Sequence, residues 1–332
     1  MPFQTRATKL LGIEHPIVCG GMTGVGNVDL TVAVSEAGGL GMLTALSCGS
    51  VAQLKLDIAE VQRRTKKPFG VNLTILPSIL PPDYEGYAKA IIEGGVKIVE
   101  TAGNDPKKFV KMFKDGGCIS IHKCVTVRHA LSAEKIGVDI ISMDSMECAG
   151  HPGEGDIGAI VLLAKAAKVL KKPFLASGGI GDGNQLAAAL CLGADGVNMG
   201  TRFCVTKEAN WPQSFKDAVI AADENQTSLI FRQLHNTARV FRNKVAIEVE
   251  EISKDKGKDL QFSDLAHLVV GERGRQAERD GDANGGIFTA GQVVGLIDDS
   301  PTVKELMDRI IKDAETTVQQ RVGGMITKSS KL

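Results

Sequence analysis

His151 stands in a glycine-containing run, Asp144-Ser145-Met146-Glu147-Cys148-Ala149-Gly150-His151-Pro152-Gly153-Glu154. Imidazole titrates near neutral pH, so a histidine in such a loop can act as a general base. The alternative is a loop histidine that only bonds to backbone. Cys148 beside it raises a thiol nucleophile or half of a zinc site. No second ligand pair has suitable spacing and no orienting group for the imidazole is identifiable, so both ideas rank below the base.

Two other runs suit an anion. They are Ser177-Gly178-Gly179-Ile180-Gly181-Asp182-Gly183 and Asn198-Met199-Gly200-Thr201-Arg202. Glycines let backbone approach a phosphate closely, and N–H groups at a helix start favour negative charge. Either run alone reads as ordinary turn glycine. A last candidate is Lys123 in His122-Lys123-Cys124, where alternation puts Ile119, Ile121 and Lys123 on one face. With the isoleucines in a core, Lys123 emerges where a cation can stabilise an anionic ring. A solvated lysine at a strand end is the other reading. Asn72 and Thr74 share a face in the same way and offer donors and acceptors.

These residues need a frame that brings them together. Apolar strand-like runs at 16–22, 40–45, 69–76, 97–102, 119–124, 139–144, 174–177 and 196–201 alternate with helical periods. The helices are expected near 29–37, 51–64, 84–93, 105–114, 127–136, 157–170 and 185–192. Eight βα steps in order predict an α/β fold, a TIM (β/α)8 barrel, in preference to a doubly wound sheet. Barrel sites lie at the C-terminal ends of strands. The two glycine runs then follow the seventh and eighth strands, where barrels bind phosphate, and the His151 loop follows the sixth.

The rhythm breaks after Phe203. Residues 206–282 read as a smaller, mainly helical insertion domain over the mouth, with helices at 213–223, 227–239 and 262–268 and a lysine-rich loop at 254–258. Helical periods at 287–297 and 303–318 return to the wall, so 1–205 and 283–332 form the barrel. The segment 76–86, with Pro77, Pro81 and Pro82, is expected to act as a lid.

A chain of 332 residues accommodates a barrel of roughly 250 residues plus an insertion. Lys+Arg and Asp+Glu balance at 39 each, so no net field draws the chain to nucleic acid or anionic lipid. Aromatics at 4% argue against base-stacking platforms. Seven cysteines without a CxxC pair fit a reducing compartment and no structural zinc. The longest uncharged stretch, 37–54, is broken by glycines and reads as strand and turn, not a membrane span, so a soluble protein is expected. The chain ends Ser330-Lys331-Leu332, which in a eukaryote is an address read by the peroxisomal import receptor; otherwise the expectation is cytoplasmic.

Taken in order, Gly20-Gly21-Met22 with Val25-Gly26, Val71-Asn72-Leu73-Thr74-Ile75-Leu76-Pro77, Ala102-Gly103-Asn104-Asp105-Pro106, His122-Lys123-Cys124, the Glu147 to Glu154 run, Ser177-Gly178-Gly179 and Met199-Gly200-Thr201-Arg202 resemble the nitronate monooxygenase family, formerly 2-nitropropane dioxygenases. The resemblance spans nearly the whole chain. It implies FMN on a TIM barrel with a smaller second domain. By motif position it implies FMN contacts from Gly21, Met22, Thr23, Thr74, Lys123, Ala149, Ser177, Gly178, Gly179, Met199, Gly200 and Thr201, with His151 as the active-site histidine. The Asn-Leu-Thr-x-Leu-Pro, Ala-Gly-Asn-Asp-Pro and Cys-Ala-Gly-His-Pro-Gly-Glu segments look most like the family's NADH:quinone reductase branch.

Three functions follow as expectations. In the first, the flavin oxidises an alkyl nitronate with O2. In the second, NADH or NADPH docks transiently and reduces the flavin, which reduces a quinone. No Rossmann fingerprint is present, since Gly178-Gly179-Ile180-Gly181 lacks the spacing and the downstream acid. The third is a barrel that binds a phosphate ligand without catalysis. A colourless protein that cannot be reconstituted with FMN would favour it.

Overall fold

The computed structural model describes residues 3–75 and 81–325. Eight parallel strands form its centre: β1 (Ile17–Cys19), β2 (Gly41–Thr44), β3 (Phe69–Ile75), β4 (Ile98–Gly103), β5 (Ile119–Cys124), β6 (Ile140–Asp144), β7 (Phe174–Ser177) and β8 (Gly196–Met199). The hydrogen-bonded order runs β1-β8-β7-β6-β5-β4-β3-β2. A parallel bridge between Val18 and Leu40 joins the two ends, with Cys19 N–H donating to Leu40 O at 2.9 Å. The sheet is thus a closed TIM barrel, as the βα rhythm predicts.

Period-two alternation sorts the strand residues into two surroundings. Val18, Leu40, Met42, Ile98, Ile121, Ile140 and Leu175 point inward and pack into one buried floor. Their neighbours, such as Val71, Val99, Ile141 and Val197, point outward and pack under helices. Each fully buried aliphatic side chain of this kind stabilises the fold by roughly 1.5–3 kcal/mol.

The helices are α1 (Arg6–Leu11), α2 (Val28–Glu36), α3 (Val51–Arg64), α4 (Tyr84–Glu93), α5 (Lys107–Asp115), α6 (Val127–Lys135), α7 (Ala159–Val169), α8 (Gly183–Cys191) and the single turn α9 (Thr201–Cys204). Side-chain caps fix several starts. Asn27, Ser50, Asp83, Thr126 and Asp182 each accept from a backbone N–H of the first turn.

Beyond α9 come α10 (Gln213–Ile220), the hairpin β9 (Thr227–Ile230) and β10 (Ala238–Phe241), α11 (Lys244–Lys256), α12 (Phe262–Val269), α13 (Gly271–Asp280) and α14 (Val303–Thr316). Ile230, Val240, Val245, Val249, Leu260, Leu265 and Leu268 make a small core of their own. Trp211, Phe215 and Phe241 pack instead with Phe288 against the barrel's outer core.

Three expectations are corrected. Residues 227–239 are not a helix: Ala238 pairs with Ile230 and Phe241 with Thr227 in an antiparallel ladder. The apolar spacing imitates a helix, but the chain turns through Phe231 and His235, both at positive φ. Such values interrupt any helix of L-residues. The lysines at 254 and 256 are not loop but the last turn of α11, where cations favour the helix C-terminus. Residues 287–297 hold only a short 3₁₀ turn at Gln292–Leu296. This segment is a strap: Gln292 N–H donates to Glu147 O at 3.0 Å and Gly291 N–H to Thr201 Oγ1 at 3.0 Å.

No helix among the described residues is long and apolar enough to cross a membrane. Residues 76–80 of the expected lid and the tripeptide Ser330-Lys331-Leu332 lie outside the described residues.

Candidate active site

Two residues past the floor, the inward positions change from apolar to polar or glycine: Gly20, Thr44, Asn72, Glu100, Lys123, Ser142, Ser177 and Asn198. Glu100 is fully buried, a position that costs a carboxylate several kcal/mol unless donors surround it. They do. Oε1 accepts from Gly21 N–H at 2.9 Å and Asn72 Nδ2 at 2.8 Å, and Oε2 accepts from Asn198 Nδ2 at 2.7 Å. Asn198 Nδ2 also reaches Ser142 Oγ at 3.1 Å, which donates to Asp144 Oδ1 at 3.1 Å. Thr74 Oγ1 donates to Asn72 Oδ1 at 2.9 Å.

Lys123 completes this ring, with Nζ 3.7 Å from Asp144 Oδ2. Burial pulls its ammonium down, but Asp144 and Glu100 more than reverse that, so its pKa is raised and the cation persists at neutral pH. Asn198 Oδ1 is buried without a hydrogen-bond partner among the described residues. On the opposite face of β5, burial pushes the His122 imidazole down to about 4. Its Nδ1 lies 2.9 Å from Thr101 Oγ1. His122 is a neutral core residue.

The first loop approaches the ring closely. A Cβ on Gly21 would lie 2.2 Å from Asn72 Cβ, so only glycine lets this amide reach Glu100. Met22 follows, its N–H donating to Thr44 Oγ1 at 2.9 Å, and Thr23 is exposed.

The loops after β7 and β8 lie side by side. Gly178 and Gly179 have φ of 91° and 75°. A Cβ on Gly178 would lie 2.6 Å from Ser145 Oγ. The amide N–H groups of Gly178, Gly179, Gly200 and Thr201 have no hydrogen-bond partner among the described residues. Unpartnered amides beside positive-φ glycines, on the loops after two adjacent strands, are features an anion site uses. The Met199 side chain is buried in the outer core, so only its backbone faces this side, and Met199 O accepts from Gly20 N–H.

His151 is exposed in the loop after β6. Its Nδ1 lies 3.1 Å from the Thr237 carbonyl oxygen, in the turn between β9 and β10. A carbonyl only accepts, so the neutral ring carries its proton on Nδ1 and leaves a lone pair on Nε2. The ring does bond to backbone, as one of the two sequence readings expects, and that bond leaves Nε2 with its lone pair open. Ala149 and Gly150 precede it, and Gly150 exchanges backbone hydrogen bonds with Arg239.

Cys148 does not suit a nucleophile. Burial first, then Asp144, push its thiol up to about 12. All seven cysteines are free, and no cluster that could hold a metal occurs among the described residues.

The structure brings Gly21, Thr74, Lys123, Ser177, Gly178, Gly179, Gly200 and Thr201 to one barrel end, with His151 above them. Sequence reasoning missed Glu100 and Thr237, and placed Asn198 in the anion-binding run after β8 without giving it a partner. A lone acid inside the apolar run Ile98-Val99-Glu100, on the same parity as Asn72 and Lys123, was a signal for Glu100. Nothing in the sequence pointed to Thr237.

The family model described as nitronate monooxygenase matches residues 4–313. A curated relative from Mycobacterium tuberculosis, a (3aS,4S,5R,7aS)-5-hydroxy-7a-methyl-1-oxo-octahydro-1H-indene-4-carboxyl-CoA dehydrogenase, is 29% identical, with 96% of this chain and 98% of the relative aligned. The solved structure of FabK from Thermotoga maritima superposes with a TM-score of 0.88 at 34% identity, covering 98% of this chain and 100% of that one. A nitroalkane oxidase from Streptomyces ansochromogenes superposes with a TM-score of 0.79 at 25% identity, covering 94% and 99%.

Proposed function

Since the chain belongs to the nitronate monooxygenase family, we propose that this oxidoreductase is FMN-dependent and oxidises alkyl nitronates with O2. The observation that carries the reading is the meeting, at one barrel mouth, of unpartnered amides at Gly178, Gly179, Gly200 and Thr201 with a histidine whose Nε2 is free of hydrogen bonds among the described residues.

The FMN phosphate is assigned to those amides, with Ser177 and the Met199 backbone bordering them. The residues that would hold the ring system are Gly21, Met22, Thr23, Thr74, Lys123 and Ala149, at the polar layer. When bound, FMN supplies the route by which electrons leave the nitronate and reach O2. The protein's own residues do the rest. Lys123 keeps a positive charge beside the ring. Glu100 holds Asn72, Asn198 and the Gly21 amide in place. His151 Nε2 takes the α-proton of a neutral nitroalkane or orients a preformed nitronate. We take residues 206–282 as one unit over the mouth, supplying the carbonyl that orients His151.

The test is twofold. Acid-released cofactor from purified protein is identified by mass, and oxygen uptake is followed with propyl nitronate. FMN with nitronate-dependent uptake is expected. A colourless protein that does not take up FMN would return the chain to the non-catalytic phosphate-binding alternative.

A second reading is NAD(P)H:quinone reduction at the same site. It is favoured by the resemblance of the Ala102 to Pro106 and Cys148 to Glu154 segments to that branch. NADH or NADPH would dock transiently over the ring.

A further inference from the structure

The loop that carries His151 is held from one direction. Gly150 N–H donates to Arg239 O at 3.0 Å, and Arg239 N–H returns to Gly150 O at 2.6 Å. The Arg239 guanidinium, itself buried, donates from Nε and Nη2 to Met146 O at 3.1 and 2.9 Å. Arg232 grips Asp156 at 2.6 and 3.0 Å. Between these two lies Thr237, fully enclosed. Its N–H donates to Glu154 Oε1 at 2.8 Å and its hydroxyl to Glu154 Oε2 at 2.6 Å. Its carbonyl accepts from His151 Nδ1.

Backbone conformation singles out the same junction. Among the described residues, three that are not glycine have positive φ: Asp156, Phe231 and His235. All three lie in the loop after β6 or in the turn of the hairpin. Backbone held there is disfavoured for L-residues and persists only where surrounding contacts impose it.

We propose that Glu154 is a positioning residue for His151, acting through Thr237. The carboxylate clamps Thr237 by its amide and its hydroxyl. The clamped carbonyl then selects the Nδ1–H tautomer and aims Nε2 at the mouth. The insertion hairpin is therefore part of the active site and not merely its cover. The inference rests on reading His151 as the base.

Glu154 and His151 sit three residues apart in a loop, and neither touches the other in any recorded bond. The coupling runs through a residue 86 positions away from His151. A purely structural clamp would set how well the loop folds but would not choose which ring nitrogen holds the proton.

The test uses full-length holoprotein labelled with 15N-histidine. Long-range 1H–15N spectra at alkaline pH report the tautomer of each neutral ring. The six histidines of the chain are few enough to assign, with H151Q identifying the signal of interest. The native protein should show the Nδ1–H form. In E154A it should shift toward a mixture with Nε2–H, while turnover of a neutral nitroalkane falls roughly tenfold through misplacement of the base. E154Q keeps a carbonyl acceptor for the Thr237 amide and should restore most of both. If E154A does not fold, T237V, which removes only the hydroxyl bond, should shift the tautomer in the same direction by less.

A folded E154A with the native tautomer would overturn the proposal, whatever its rate. So would a native tautomer in T237V when E154A cannot be made. H151A with unchanged turnover would instead sink the base assignment and leave the tautomer result standing, so the two failures are distinguishable.

Discussion

The two halves of the site are held in different ways. Asn72, Glu100, Lys123 and Asn198 rise from β3, β4, β5 and β8 of a closed sheet, with the apolar floor of Val18, Met42, Ile98 and Ile121 beneath them. His151 is exposed on a loop and depends on a hairpin from elsewhere in the chain. In the proposed function the first half binds the flavin and stabilises charge from a fixed platform. The second transfers the proton in that function, from a support that the hairpin and not the barrel strands supplies. Barrels serve many reactions because the strands supply the frame and the loops supply the chemistry.

If that contrast is right, damage to the strand half should reach stability and damage to the loop half should reach only rate. The largest effect is expected for E100A. It strips the Gly21 amide and the Asn72 and Asn198 side chains of their acceptor, at a cost of roughly 3–5 kcal/mol. Urea denaturation measures it. A loss below about 1 kcal/mol would mean that the ring is not the platform described here.

H151A should leave the denaturation midpoint and FMN content unchanged. It should slow turnover of a neutral nitroalkane by roughly 100-fold or more, with a smaller loss on preformed nitronate. Steady-state kinetics on the two substrates read the difference. Equal rates before and after mutation would remove the base.

G178A tests the boundary between the halves. Its positive φ costs an alanine about 1–2 kcal/mol, and the new Cβ would press on Ser145 Oγ and the Cys148 amide. FMN affinity, followed by fluorescence titration, should drop with little change in the tautomer of His151.

A last effect, absent at neutral pH, is an acid sensitivity from His122 on β5. Burial holds His122 down to about 4, against 6.5 for a free imidazole. The unfolded chain therefore takes up the proton first, and stability falls as pH drops from about 6.5 to about 4. Above 6.5 the contribution is fully present. H122Q should flatten that part of the stability curve, and an unchanged slope would place the acid sensitivity elsewhere.

The same contrast explains what the sequence disclosed. A strand buries alternate residues, so Ile119, Ile121 and Lys123 announce their common face, and eight such runs announce the barrel. The glycine runs after β7 and β8 stood out because glycine marks positive-φ backbone locally, as at Gly178 and Gly179. Glu100 could have been found on the same logic, as an acid at an inward position. The Glu154 to Thr237 clamp could not, because its partners are joined only by the folded path of the insertion. The hairpin at Thr227–Ile230 and Ala238–Phe241 was itself misread as helix. Its apolar residues repeat at helical spacing, and the two positive-φ turns at Phe231 and His235 carry no glycine to mark them.

The central claim is tested most directly by anaerobic stopped-flow of the purified holoprotein, mixed separately with propyl nitronate, NADH and NADPH. The account predicts that the nitronate bleaches the flavin absorbance and that admitted O2 restores it. Bleaching by a nicotinamide alone, with no response to the nitronate, would contradict it and make the chain a pyridine-nucleotide-dependent reductase.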